Sequence, residues 1–256
     1  RIFTKSVFQK KESVSTSYYD DQFLTRTINY LYNNSNYLHP KKTEVIDSKG
    51  YVLQSESDYG HDKNDTILIN ENRITIPLKK VAYKDAAKLS EQNTTYSNFN
   101  GLYLPEIIQT SKGSQPLDDR ILYHAYDDFG NPLEVSKADG THIVYIWGYN
   151  QTQPIAKIEN ATYADVQIQV ANLQALSNAD NDRTIDTINQ DGIITKVGKE
   201  GNLREALRNL RNSLKNVLVT TYTYDPLIGV TSVTDPRGDT VYYEYDDFNR
   251  LKHVKD

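Results

Sequence analysis

From Val219 to Val254 the chain alternates β-branched and aromatic residues with polar ones, and turn formers interrupt it at regular places. Period-two alternation puts successive side chains on opposite faces of a strand. In TVYYEY (240–245), Thr240, Tyr242 and Glu244 face one side, and Val241, Tyr243 and Tyr245 the other. Turns are expected at Tyr224-Asp225, at Asp235-Pro236-Arg237-Gly238 and at Tyr245-Asp246. An Asp at the entry of such a turn accepts backbone amides further on, Pro fixes φ, and Gly or Asn takes the left-handed position. Asn249 is the expected left-handed residue of the last turn, and Gly130 or Asn131 that of the stretch YDDFGN. Tyr224 lies 14 residues before Gly238 and Gly238 lies 7 before Tyr245, which makes a unit of 21. The same 14 and 7 separate Tyr126, Gly140 and Trp147. A single hairpin cannot bury its own face, so such units are expected to stack.

The rest of the chain divides around these copies. Residues 1–118 read as a degenerate β-repeat region, with candidate strands at Ile2–Phe8, Gln22–Tyr30, Thr43–Ile46, Tyr51–Glu56, Thr66–Ile69, Ile74–Lys79 and Leu102–Gln109. Repeat units occupy 119–159 and 218–256, and the second run is expected to continue beyond Asp256 in a longer polypeptide. Residues 160–217 break the β pattern. Val166, Val170, Leu173 and Leu176 follow helical spacing, with Thr162 or Asn160 as the cap. In a second helix Leu203, Ala206, Leu207, Leu210 and Leu214 form one face, and Arg204, Arg208, Arg211 and Lys215 the other. Two amphipathic helices inserted between repeat units and lying on the sheet are the expectation, with a docking surface for a partner as the alternative.

The stretches YDPLIGVTSVTDPRGDTVYYEYDDFNRL and YDDFGNPLEVSKADGTHIVYIW resemble the RHS/YD-repeat family, whose unit is loosely YDxxGRLxxxxDxxGxxxxYxYD. Asn249 stands where the family has Gly, and Trp147-Gly148-Tyr149-Asn150 stands where a Tyr-Asp step is expected, with Asn150 in place of Asp. The resemblance implies a mainly β fold, a ribbon of β-hairpins coiling into a shell or spiral, here carrying a two-helix insertion. It also implies a non-catalytic scaffold on a large secreted or cell-surface bacterial protein. The run YDPLIGVTSVTDPRG is similar to the large repeat proteins of gliding bacteria, which implies an outer-membrane type 9 secretion or motility complex as partner. The alternatives are the encapsulating shell of a polymorphic toxin whose toxic domain lies outside this segment, and a carbohydrate-binding adhesin using rings such as Tyr222, Tyr243 and Tyr245.

Composition narrows the chemistry. Twenty Tyr against six Phe and one Trp suit a β surface whose aromatics have a dry body and a wet tip. A net charge of −5 without a basic stripe argues against nucleic acid as partner. No apolar run is long enough to span a membrane. Without cysteine, disulfides, zinc ribbons and thiol catalysis are excluded within the 256 residues. The carboxylate pairs Asp20-Asp21, Asp118-Asp119, Asp127-Asp128 and Asp246-Asp247 are better explained by turn chemistry than by glycoside hydrolysis. His39, His61, His124, His142 and His253 form no HxH or HxxxH, although His124 and His142 could meet across paired strands. Asp180-Asn181-Asp182 hints at calcium but lacks the grammar of an EF-hand loop. Arg237-Gly238-Asp239 spells an adhesion tripeptide inside the repeat's own turn, and no nucleophile elbow or phosphate loop is present. No catalytic, cofactor or metal residue is therefore expected; the expected partners are other repeats of the same chain, a secretion or motility complex, or an enclosed toxin.

Overall fold

Alternating β-branched, aromatic and hydroxyl side chains make strands along most of this chain, and Asp, Asn and Gly turn them back on themselves. The structure, a computed structural model, describes residues 9–20, 22–35, 37–188 and 194–256. Two units, Arg1–Leu122 and Tyr123–Asp256, each hold together by their own contacts. The first contains β1 (Glu12–Tyr19), β2 (Gln22–Leu31), β3 (Lys42–Ile46), β4 (Val52–Asp58), α1 (Gly60–Lys63), α2 (Thr66–Asn70), β5 (Lys79–Lys84), β6 (Ala87–Phe99) and β7 (Leu102–Lys112). Strand β8 (Asp118–Tyr126) leads into the second, which contains β9 (Pro132–Lys137), β10 (His142–Gly148) and β11 (Gln153–Glu159). After these come α3 (Tyr163–Ala179), the short β12 (Thr187–Ile188) and β13 (Ile194–Thr195), and α4 (Gly198–Ser213). The chain ends in β14 (Leu218–Asp225), β15 (Gly229–Thr234), β16 (Thr240–Tyr245) and β17 (Leu251–Lys255). Among the described residues fifteen strands form an antiparallel sheet in chain order, β14 following β11 directly, while β12 and β13 pair apart. The fold is mainly β with a two-helix insertion, as the repeat pattern predicts.

Several local expectations are corrected. Thr66–Ile69 is helical, because the Asp65 carboxylate caps α2 by accepting the Leu68 amide at 3.1 Å and Leu68 is fully buried. Residues 74–78 are a turn and not a strand, since Pro77 has no amide to give a ladder and pairing starts only at Lys79. Conversely, the polar sequences of β1, β5 and β6 are strands, and β6 pairs with β7 from Phe99 back to Ser90. Residues 2–8 lie outside the described residues.

The turns follow the Asp rule. The Asp127 carboxylate accepts the Phe129 and Asn131 amides, Asp235 those of Arg237, Gly238 and Asp239, and Asp246 those of Phe248 and Arg250. Gly130, Gly238 and Asn249 hold the left-handed positions at φ +83°, +100° and +60°. In the turn after Asp225, Pro226 is followed by Leu227 at φ +71°, a position that a type II turn reserves for glycine.

A second device recurs at strand ends. The register of an antiparallel pair shifts between Ala82 and Tyr83, Thr95 and Tyr96, Ile146 and Trp147, Thr223 and Tyr224, and Glu244 and Tyr245. In each case the extra residue (Leu89, Glu106, Ile155, Thr231, Lys252) belongs to the following strand and lies opposite the step into an aromatic; a further shift, between Ile108 and Gln109 against β8, has no aromatic. In the second unit the same aromatic bonds backwards. Trp147 Nε1–H donates to the Pro132 carbonyl at 2.9 Å, Tyr224 Oη–H to Pro154 at 3.0 Å and Tyr245 Oη–H to Val230 at 3.0 Å. Extending the registers places Trp147 opposite Asn131, Tyr224 opposite Gln153 and Tyr245 opposite Gly229, and the acceptor is always the next residue along. Each aromatic thus ties three consecutive strands.

The core of the second unit lies between sheet and insertion. Val144, Ile146, Ile155 and Ile158 of the sheet pack with Val166, Val170 and Leu173 of α3 and Leu203, Leu207 and Leu210 of α4. Each such side chain contributes roughly 1.5–3 kcal/mol on leaving water. Among the described residues no helix is long and apolar enough to cross a membrane.

Two measurements probe these elements. Leu227→Gly removes a fully exposed side chain from a left-handed position that costs an L-residue about 1–2 kcal/mol, so the urea midpoint is expected to rise. Glu91 accepts bonds from Lys79 and Lys88, both at 2.9 Å, and these hold its pKa below its ordinary 4.5. Its contribution is complete above that ordinary value and is lost as pH falls through the lowered one. Glu91→Gln is therefore expected to flatten the fall in stability between pH 5 and 3 (roughly the carboxylate range), read by chemical denaturation at each pH.

Candidate functional site

The densest polar chemistry of the described residues sits where the insertion meets the sheet. Strand β10 ends at Gly148, in the position that Asp holds in the other repeat turns. Tyr149, Asn150 and Gln151 follow at φ +49°, +56° and +64°, a left-handed run that non-glycine residues adopt only when held. One amide an Asp would accept is taken instead by α3, where Asn150 N–H donates to Asn178 Oδ1 at 2.6 Å, and the neighbouring Tyr149 N–H donates to Ser177 Oγ at 3.1 Å. A Cβ at residue 148 would collide with Ser177 and Ile155, so glycine is required there. Asn150 does not substitute for the repeat Asp, because its backbone and not its side chain makes the contact.

The loop after α3 carries three carboxylates inward. Asp180 is buried and accepts the Tyr149 hydroxyl at 2.6 Å, while that hydroxyl also accepts the Tyr224 amide at 2.9 Å. Burial raises the pKa of both Tyr149 and Asp180, and their mutual bond raises the phenol further while opposing the rise on the acid. Asp182 caps α4 from outside the helix, accepting the Lys199 amide at 2.7 Å and the Glu200 amide at 3.1 Å. Gly198 opens that helix at φ +68° with no room for a Cβ beside the Asp182 carboxylate.

Glu200, fully buried, is the hub. Its Oε1 accepts from Arg204 Nη1, Thr223 Oγ1 and Thr231 Oγ1, each at 2.7 Å, and its Oε2 from the Thr184 amide at 3.1 Å. Burial raises the Glu200 pKa against the lowering by these hydroxyls and by Arg204. Arg204 continues to Asp186 at 2.9 Å, and Asp186 also receives Arg208 at 3.4 Å. Arg204 does not lie on a solvent face of its helix, as the helical pattern suggests. It is buried in an ion triad, with its guanidinium 5.3 Å from the centre of the Tyr242 ring. Arg211 also turns inward, to the Val219 carbonyl and Thr221 Oγ1. The expected basic face is thereby broken up. The signal that could have found the triad is Glu200 four residues before Arg204, a helical ion-pair spacing.

Oxygens of Asp180, Asp182 and Glu200 lie within 4.8 Å of one another, a cluster with the outline of a cation site. Every one of these oxygens already accepts a protein donor, so the cluster is complete as a structural clamp. A cavity of about 270 Å³ opens beside it, lined by Arg183, Glu200, Tyr243, Tyr245 and Lys252 among others. Thr231 and Glu200 both line it, and the Thr231 hydroxyl there donates to the Glu200 carboxylate at 2.7 Å.

The other residues singled out by sequence are scattered. Asp127 and Asp246 serve turns, Asp119 accepts Gln109 Nε2 at 2.8 Å, and Asp21 lies outside the described residues. Arg237 pairs with Asp235 at 3.0 Å and Asp239 at 3.3 Å within its turn. Tyr222, Tyr243 and Tyr245 are half-buried. His39 packs by Tyr59, His61 stacks on Tyr37, and His253 is exposed on β17. His124 and His142 do meet, with ring centres 5.0 Å apart.

No protein-family model matches the chain, and no curated protein matches it. Among solved structures it is similar to a TcdB2–TccC3–TEV crystal structure, at 10% identity and a TM-score of 0.41 over 95% of this chain and 11% of the other. It is also similar to the Tc holotoxin pore of Photorhabdus luminescens, at 12% identity and a TM-score of 0.16 over 90% of this chain and 14% of the other. The chain thus spans a small fraction of the length of either.

Removing one member of a buried triad strands the opposite charges, at a cost of about 3–5 kcal/mol. Arg204→Met is expected to lose that much stability in urea unfolding. Adding Glu200→Met and Asp186→Leu to it is expected to restore most of the loss.

Proposed function

We propose that this chain is a shell-forming segment of a large secreted or cell-surface bacterial protein of the RHS/YD-repeat type, and that it scaffolds without catalysing. The observation that carries the reading is the strand-end aromatic. It bonds back to the preceding strand in the same register in both stretches that match the repeat, whether the residue is Trp147 or Tyr245. A unit that rebuilds one joint every 21 residues is suited to extending a sheet by addition. The clamp supports the same reading, since its carboxylates and hydroxyls are engaged in seating the helices on the sheet. The segment's immediate partners are then further repeats of its own chain. On the resemblance of YDPLIGVTSVTDPRG, the parent protein leaves the cell by the type 9 route and associates with an outer-membrane complex.

Cryo-electron microscopy of the intact parent protein tests the scaffold. The expected result is these strands continuing with an aromatic joint at each 21-residue step, around an enclosed volume. A separately folded domain flanked by unrelated ones overturns it. A folded enzyme inside that volume would identify the shell as a toxin capsule, and recovery from native membranes free of export components would remove the type 9 association.

A further inference from the structure

We propose that His124, Glu134 and His142 form a binding site for a divalent transition-metal ion of the zinc class. They come from three consecutive strands, β8, β9 and β10, and offer one donor atom each within 4.8 Å of one another. The two imidazoles stack with their planes 17° apart. They can do so because the residue of β9 opposite His142 is Ser136, small enough for both rings to lean over it.

The surrounding bonds orient the donors. Glu134 Oε1 lies 2.6 Å from His142 Nδ1, so these two atoms already face each other, and an ion would enter between them in place of the proton they share. Glu134 Oε2 is itself fixed by the Tyr163 amide, the first of α3, at 2.8 Å. His124 Nε2 is 2.8 Å from Ser136 Oγ, which leaves Nδ1 of that ring. Two neutral nitrogens and one carboxylate oxygen are the donor set that zinc takes in three-ligand sites, with further positions left to water. Zinc–nitrogen bonds of about 2.0–2.1 Å need donors about 3.4 Å apart, so the Glu134–His142 pair must open slightly and His124 must draw in. His124, the exposed member, has the freedom to do that. The acidic cluster at Glu200 is a poorer candidate for this class of ion, because it offers only carboxylate oxygens and no nitrogen donor. Spacing along the chain hides the histidine site, since 18 residues and a whole intervening strand separate its two rings.

Calorimetric titration of the whole chain with zinc chloride is the test. One ion per chain is expected, with affinity falling at least tenfold in His142→Ala and in His124→Gln, and unchanged in His253→Ala. Cobalt(II) in place of zinc should give visible ligand-field bands that both site variants lose, while circular dichroism confirms their fold. Absence of saturable binding, or stoichiometric binding that survives in the His124→Gln/His142→Ala double variant, overturns the proposal.

Discussion

A sheet whose strands are laid down in chain order must fix its register anew at every hairpin. A slip of one residue would turn each inward side chain outward. In the second unit the strand-end aromatic does this from both sides. Opposite it one residue of the next strand (Ile155, Thr231 or Lys252) bulges out of the pairing, and its own polar tip is fastened to the strand behind. The two requirements are coupled, because a bulge re-aims a side chain and raises the local twist. Trp147 is informative here. Indole can only donate, so the joint is a donation to a backbone carbonyl, and the phenols of Tyr224 and Tyr245 are used in the same sense.

The insertion is accommodated by changing one repeat turn. An ordinary turn brings its own acceptor, the Asp carboxylate. After β10 that acceptor is absent, and Ser177 and Asn178 of α3 supply the oxygens. The turn and the helix therefore complete each other. The same logic runs through Glu200, whose donors come from α4, the preceding loop, β14 and β15. Apolar packing alone would hold the helices on the sheet but not at one angle. A buried hub with four directional bonds specifies the seat, at an electrostatic cost that apolar residues would not incur.

Much of the repeat was legible beforehand. The Asp turns, the left-handed Asn249, the two helices and the Thr162 cap all rest on local physics, in which the interacting groups are at most four residues apart. What was illegible depends on distant partners. TILI (66–69) is the local exception: its apolar run suits a strand, and the Asp65 cap three residues before Leu68 decides for a helix. β6, with the sequence AKLSEQNTTYSNF, has no apolar face and is a strand only because β5 and β7 pair with it on both sides. Arg204 was placed on the wet face because a helical pattern describes one helix and is blind to Asp186, 18 residues upstream. The sequence shows that the two histidines can pair across strands, but nothing in its spacing joins Glu134 to them.

The joint explains the choice of tyrosine at two of its twenty positions in the chain, Tyr224 and Tyr245. Where an aromatic closes a joint it must carry a donor, and the sheet uses Tyr or Trp. Where the repeat needs an aromatic without a donor, it uses Phe: Phe129 and Phe248 occupy the same place in equivalent Asp turns, and both stand exposed. Replacing the joint residues by Phe would keep the packing area and lose the register bond. Each added joint of this kind therefore calls for one donor-bearing ring, Tyr or Trp, at its strand end.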